Sequence, residues 1–193
     1  MAALLKRREI VAKLLADRGE DLLVVPGLGQ PCYDCFAAGD DPRTFYLWGA
    51  MGGAVPVALG LAIAQPEKRV LVITGDGEML MGLGSLTAAA AEALPNLAIC
   101  VLDNERYGET GQQQTVTGRG TNLSAIAAGA GFGTTKLVTD AADVAEGVRL
   151  CREATGPVFV AFKVDDAPEA AAIPPKDGAF LKTRFRQAVV GKI

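Results

Sequence analysis

The segment VLVITGDGEML, residues 70–80, runs an apolar stretch straight into Asp76, held between Gly75 and Gly77. A carboxylate at the rim of an apolar core is costly unless something pairs with it. The two glycines let the backbone turn tightly and let a large partner approach. A second polar stop lies downstream, where LAICVLDNERYG ends an apolar run in Asp103 and Asn104. Singly, each has an ordinary reading: such an Asp caps a helix, and such an Asn makes a turn. As a pair, Asp76 and Asn104 are hard oxygen donors at the ends of two strands, one helix apart. Magnesium takes oxygen ligands and commonly keeps a substrate phosphate among them. A helix starting after Gly77 would offer that phosphate its N–H groups and its positive dipole end. The pattern points to a Mg²⁺-diphosphate site.

Other chemistries are excluded by what the chain lacks. It has no histidine, so a Ser-His-Asp or Cys-His arrangement cannot come from it. Proton transfer within this chain must use carboxylates, Lys, Tyr, Cys or a cofactor. No GxxxxGK[ST] occurs, and Gly75-Asp76-Gly77 does not continue as GxGxxG. The net charge of −3, with no long basic run, argues against nucleic-acid binding. Cys32 and Cys35 form one CxxC without the second pair or the histidines of a zinc site. A redox pair and a reduced pair in a loop both remain open for them. The N-terminus MAALLKRREIV is too charged for a secretory signal. The uncharged run at 47–64 is long enough to span a membrane, but its Gly, Ala and Pro56 fit a turn and a short buried helix. No membrane association is expected, and the cytoplasm is the expected location.

The elements that must position the two donors read as alternating strands and helices. Helices are expected at 3–17, 54–64, 83–93, 122–130 and 141–154. Strands are expected at 21–25, 69–74, 97–103, 135–139 and 157–164, with a further one at 44–48. PGLGQP, GDGEMLMG and NERYGETGQQQT read as turns or loops. The strands are near-continuous apolar runs, as when helices cover both faces of a sheet. The expectation is an α/β fold: a single doubly wound domain with a mainly parallel sheet over 1–163. Residues 164–193 form a Pro-rich C-terminal extension and a terminal helix that either lies solvated on the surface or packs on a partner. In such sheets ligands bind beyond the carboxyl ends of the strands, where WGAMGG, GDGEM and DNERYG all fall.

A glycine-flanked Asp followed, just under thirty residues later, by an Asn that ends a strand resembles the thiamine diphosphate motif. Upstream, GAMGGAVPVALG resembles the Gly-x-Met-Gly segment of the same proteins. The likeness covers about residues 44–163 and is to the diphosphate-binding domain of the sulfopyruvate and phosphonopyruvate decarboxylase family. It implies the thiamine diphosphate-binding fold, with thiamine diphosphate and Mg²⁺ as cofactors. Asp76, Asn104 and the backbone carbonyl of Arg106 would hold the metal. Gly75, Gly77 and Glu78 would meet the diphosphate through the turn, and Tyr107 and Gly108 would close its pocket. Met51 would support the bent cofactor, and the Gly49 carbonyl would accept from its pyrimidine amine. The glutamate that activates the pyrimidine belongs to another domain in this family. The chain would therefore be a β subunit, inactive alone, and an α subunit with the pyrimidine-binding domain would complete each site. The implied reaction is decarboxylation of a small 2-oxo acid.

Departures bear on the substrate. Asp103 replaces the first Asn of the family's Asn-Asn and is expected to point away from the metal. Gln112–Thr115 replaces Gly-Gly-Gln-Pro-Thr near the expected substrate position. Glu78 and Glu109 add negative charge where an anionic acid must enter. Arg106 and Arg119 are its candidate cations or else solvated surface groups. Alternatives are a carboligase subunit of the acetolactate synthase type, a nucleotide-binding α/β domain, and a non-catalytic binding subunit. Which 2-oxo acid is used, and with what subunit stoichiometry, is not encoded legibly.

Overall fold

A computed structural model describes residues 5–191. Five strands form one parallel sheet: β1 (Leu22–Pro26), β2 (Arg69–Gly75), β3 (Leu97–Asp103), β6 (Thr134–Val138) and β7 (Val158–Lys163). Their order is β1-β2-β3-β7-β6. A two-stranded antiparallel hairpin, β4 (Arg106–Tyr107) with β5 (Gln113–Gln114), projects after β3. The helices are α1 (Arg7–Leu15), α2 (Gln30–Ala37), α3 (Ala54–Ala64), α4 (Asp76–Met81), α5 (Ser85–Glu92), α6 (Leu123–Ala130), α7 (Val144–Glu153) and α8 (Gly178–Val190).

Side-chain alternation along the strands builds two cores, one on each face. On one face Val24, Leu71, Ile73, Cys100 and Val160 meet Ile10, Val11 and Leu14 of α1, Cys32 and Cys35 of α2, and Cys151 of α7. On the other, Val25, Val70, Val72, Ile99 and Phe159 meet Val55 and Ala58 of α3, Leu86 of α5 and Ala127 of α6. Both faces being covered explains why β1 and β3 are buried at every position. The doubly wound parallel sheet is as expected. Among the described residues no helix is long and apolar enough to cross a membrane. The uncharged 47–64 run yields only the 11-residue α3.

Several local expectations need correction. GDGEMLMG is not a simple turn, because Asp76 already begins the short helix α4. The loop expected after β1 contains α2, with Pro31 at its N-terminal turn, where a missing N–H costs nothing. The CxxC therefore lies on a buried helix rather than in a loop. The strand expected at 44–48 does not form; Thr44 makes one bridge to Val24, and the Phe45 N–H donates to the Val24 carbonyl at 2.8 Å. The first helix starts at Arg7, and positions 3 and 4 of its expected span lie outside the described residues.

Beyond β7 the chain crosses the carboxyl ends of the strands. Arg7 Nη1 donates to the Ala167 carbonyl at 3.3 Å, and Trp48 Nε1 to the Pro175 carbonyl at 3.0 Å. Helix α8 then packs on the segment before α3, with the Phe185 ring tilted against Phe45 at 5.4 Å and Arg184 paired to Asp40.

Candidate cofactor and metal site

The strand order puts the ends of β2 and β3 side by side, since Gly75 is the register partner of Leu102. Asp76 and Asn104 leave those adjacent ends. Both line one cleft of about 650 Å³, open solvent included. Gly75, Gly77 and Glu78 line it from the β2–α4 turn, and Met51 from the loop before α3. Arg106, Tyr107 and Gly108 line it from the hairpin. Gly49 is not among the lining residues, although its φ of +71° gives the turn before Met51 a left-handed residue.

Asp76 is 1% exposed. It does not cap a helix; it is the first residue of α4, after Gly75. Its Oδ2 accepts from the Thr115 hydroxyl at 2.5 Å and from the Thr117 hydroxyl at 3.2 Å. Burial raises its pKa to about 6, the Thr115 and Thr117 hydroxyls oppose the rise, and nearby Asp103 adds to it. Asn104 Oδ1 accepts from the Arg106 N–H at 3.1 Å, closing a turn, and its Nδ2 donates to Gln30 Oε1 at 3.3 Å.

Asp103 is not idle. Its Oδ1 accepts from Thr117 at 2.7 Å and its Oδ2 pairs with Lys163 Nζ at 2.9 Å. Thr117 thus joins Asp103 to Asp76. Sequence reasoning placed Thr115 near the substrate and did not single out Thr117; the structure puts both hydroxyls on the Asp76 carboxylate. Nothing in local spacing announces this, because 39 residues separate Thr115 from Asp76.

The fit to a diphosphate and its metal can be judged from space and donors. A Cβ on Gly77 would stand 2.6 Å from the Tyr107 ring and 3.7 Å from Met51 Cε. Only a glycine leaves that turn open between the two side chains. Asp76 and Asn104 supply oxygens, the donor type magnesium takes. Among the described residues no cluster of three His, Cys, Asp or Glu side chains forms a metal site. Among the described residues a softer, protein-caged metal therefore has no donor set, whereas an ion shared with phosphate oxygens does.

The remaining candidates separate. Glu109 and Arg106 line the cleft, with Arg106 Nε 3.6 Å from Asp166. Arg119 is exposed and outside the cleft. Arg7 and Gln30, which sequence reasoning missed, also line it. Arg7 is buried and bonded through Nε to Asp34 at 2.6 Å.

The fold and this site define a thiamine diphosphate-binding domain, and comparison with known proteins agrees. Residues 31–162 match the family described as thiamine pyrophosphate enzyme, C-terminal TPP binding domain, and the chain belongs to it. The chain is 41% identical over 129 residues to the sulfopyruvate decarboxylase subunit beta of Methanocaldococcus jannaschii, covering 67% of this chain and 68% of that one. It is 36% identical to the phosphonopyruvate decarboxylase of Streptomyces viridochromogenes, over 77% of this chain but 37% of that protein. Among solved structures, a thiamine diphosphate-dependent 4-hydroxybenzoylformate decarboxylase of Rhodococcus jostii shares the fold, with a TM-score of 0.71 at 21% identity. That match covers 88% of this chain and 34% of the other.

Proposed function

We propose that the chain is the β-type subunit of a thiamine diphosphate- and Mg²⁺-dependent decarboxylase of small 2-oxo acids. The observation that carries this is the meeting of Asp76 and Asn104, from adjacent strand ends, in one cleft with the Gly77 turn and Met51. The cofactor, when bound, supplies the nucleophile and electron sink for loss of CO₂. This chain's part is to bind and orient. Asp76, Asn104 and the Arg106 carbonyl hold the metal. The Gly75–Glu78 turn receives the diphosphate, Tyr107 and Gly108 close over it, and Met51 and the Gly49 carbonyl support the rest.

We assign the glutamate that would activate the pyrimidine to an α subunit that carries the pyrimidine-binding domain. The similarity to a protein named as a subunit beta supports this. Sulfopyruvate- or phosphonopyruvate-like acids are the favoured substrates, since both named relatives act on such acids. Residues 1–163 form the cofactor domain, and the tail from 164 packs on it and borders the partner. Buried reduced thiols fit the cytoplasm.

Calorimetric titration tests the reading. Thiamine diphosphate is added to the purified chain, and to the chain co-expressed with its partner, with Mg²⁺, then with EDTA, with NAD as control. Binding that needs Mg²⁺ is expected. NAD binding instead would favour a nucleotide-binding domain. In the complex, CO₂ release from 2-oxo acids separates a decarboxylase from a carboligase, which would consume a second carbonyl compound.

A further inference from the structure

Glu78 follows the glycine-flanked aspartate, and its side chain does not simply face the cleft. It is buried, and the groups that act on its carboxylate are a hydroxyl and backbone amides, none of them a cation. An anion buried without a cation is costly, and it persists only where N–H and O–H groups replace its water.

Those groups come from separate turns. Thr74, near the end of β2, donates its hydroxyl to Oε2 at 2.9 Å. The Ala54 N–H, at the start of α3, donates to Oε1 at 3.4 Å. The backbone N–H groups of Leu28 and Gly52 also favour the ionised carboxylate. Gly27, just after β1, lies so close that a Cβ there would collide with Oε2. One carboxylate therefore gathers the turn after β1, the loop before α3 and the turn after β2. All three segments border the cleft, through Leu28, Met51 and the Gly75–Glu78 turn. The second of them carries Met51, whose Cε reaches to 3.7 Å from the Cβ position of Gly77.

We infer that Glu78 is a positioning residue. Its carboxylate ties the three turns together and so fixes Met51 over the Gly77 turn before any cofactor arrives. The inference rests on the thiamine diphosphate reading of the cleft. A loop already held in its binding geometry need not be ordered on binding, and affinity gains by that saving. The role also accounts for an anion that stability alone would not favour.

The test compares the full-length chain with its Glu78→Gln variant, which keeps the shape but loses the charge and presents donors to donors. Amide hydrogen exchange without cofactor reads the tie directly. Exchange at Leu28, Gly52 and Ala54 is expected to speed at least tenfold, with the amides of β3 unchanged. The melting temperature is expected to hold or rise, because a buried anion without a cationic partner is gone. Mg²⁺-dependent affinity for thiamine diphosphate, measured on the chain co-expressed with its partner, is expected to fall at least tenfold. Unchanged exchange at the three amides would overturn the tie. Faster exchange with unchanged affinity would show that the tie has no part in the site. A melting temperature that falls while all amides speed together would make Glu78 a purely structural residue and overturn the inference. A wild-type complex that binds no thiamine diphosphate would instead overturn the cofactor reading, and with it the purpose assigned to the tie, while the exchange data still judged the tie itself.

Discussion

Thr115 donates its hydroxyl to the Asp76 carboxylate at 2.5 Å, and both groups are buried. The bond joins the hairpin after β3 to the turn after β2. With Thr117, which bonds both Asp76 and Asp103, it fixes one oxygen of Asp76 and sets the direction of the other. Partners that orient a metal ligand typically matter tenfold or more for metal affinity.

Thr115→Val is therefore expected to weaken Mg²⁺-dependent cofactor binding by roughly tenfold, while costing the fold about 1 kcal/mol. Thr115→Ser should restore most of the affinity. Calorimetry on the three proteins decides it, and an unchanged Thr115→Val affinity would remove Thr115 from the metal site.

Asp76 is expected to trade stability for function. Its pKa is raised from 3.8 to about 6 in the folded chain, so folding favours the protonated form. The contribution is fully present below the unfolded value and is lost as pH rises through the folded one. Neutralising the group with Asp76→Asn should thus raise the stability of the metal-free chain at pH 7 by on the order of 2 kcal/mol, with the gain shrinking toward pH 4. The same variant should lose Mg²⁺-dependent binding. Melting curves at the two pH values check the first claim. A wild-type Mg²⁺ titration should also weaken as pH drops below about 6, where a proton competes for the carboxylate.

Gly77→Ala puts a methyl group 2.6 Å from the Tyr107 ring. The ring must move, and the turn loses its open approach. Cofactor affinity is expected to fall by about a hundredfold or more, with the fold retained, by analogy with turns whose backbone must approach a phosphate closely. Adding Tyr107→Ala should relieve the clash and recover the melting temperature. If the double variant also recovered full affinity, Tyr107 would have no role in closing the pocket.

Cys32 and Cys35 are expected to be chemically silent. Both are buried and free, and burial pushes the Cys32 thiol up to about 12 and the Cys35 thiol well above its ordinary value. A thiol reagent at pH 8 should label neither in the native chain and both after denaturation. Rapid native labelling of either would reopen the redox reading.

Much of this protein was legible in its residues because the informative features are local. The apolar runs at 70–73 and 97–102 stop at turn signals and form strands buried on both faces, and the helical spacing between them fits a parallel sheet. The position of Asp76 and Asn104 at strand ends was legible for the same reason: a strand's end is where its apolar run stops. Helices α2 and α4 were not, because Pro, Gly and Cys at their starts carry turn signals, and only packing against the sheet makes such short segments helical.

The sequence by itself determined the alternation of the main strands and helices, the parallel sheet and the two polar residues, Asp76 and Asn104, that end apolar strands, since apolar periodicity needs no distant partner. Tertiary structure alone decided that those two strand ends lie side by side and what the two residues touch. Thr115 and Thr117 on Asp76, Lys163 on Asp103, and three turns around Glu78 are contacts between segments far apart in the chain. Their geometry follows from how the strand ends are brought side by side, and hydrogen bonds formed across such a junction leave no period in the sequence to read.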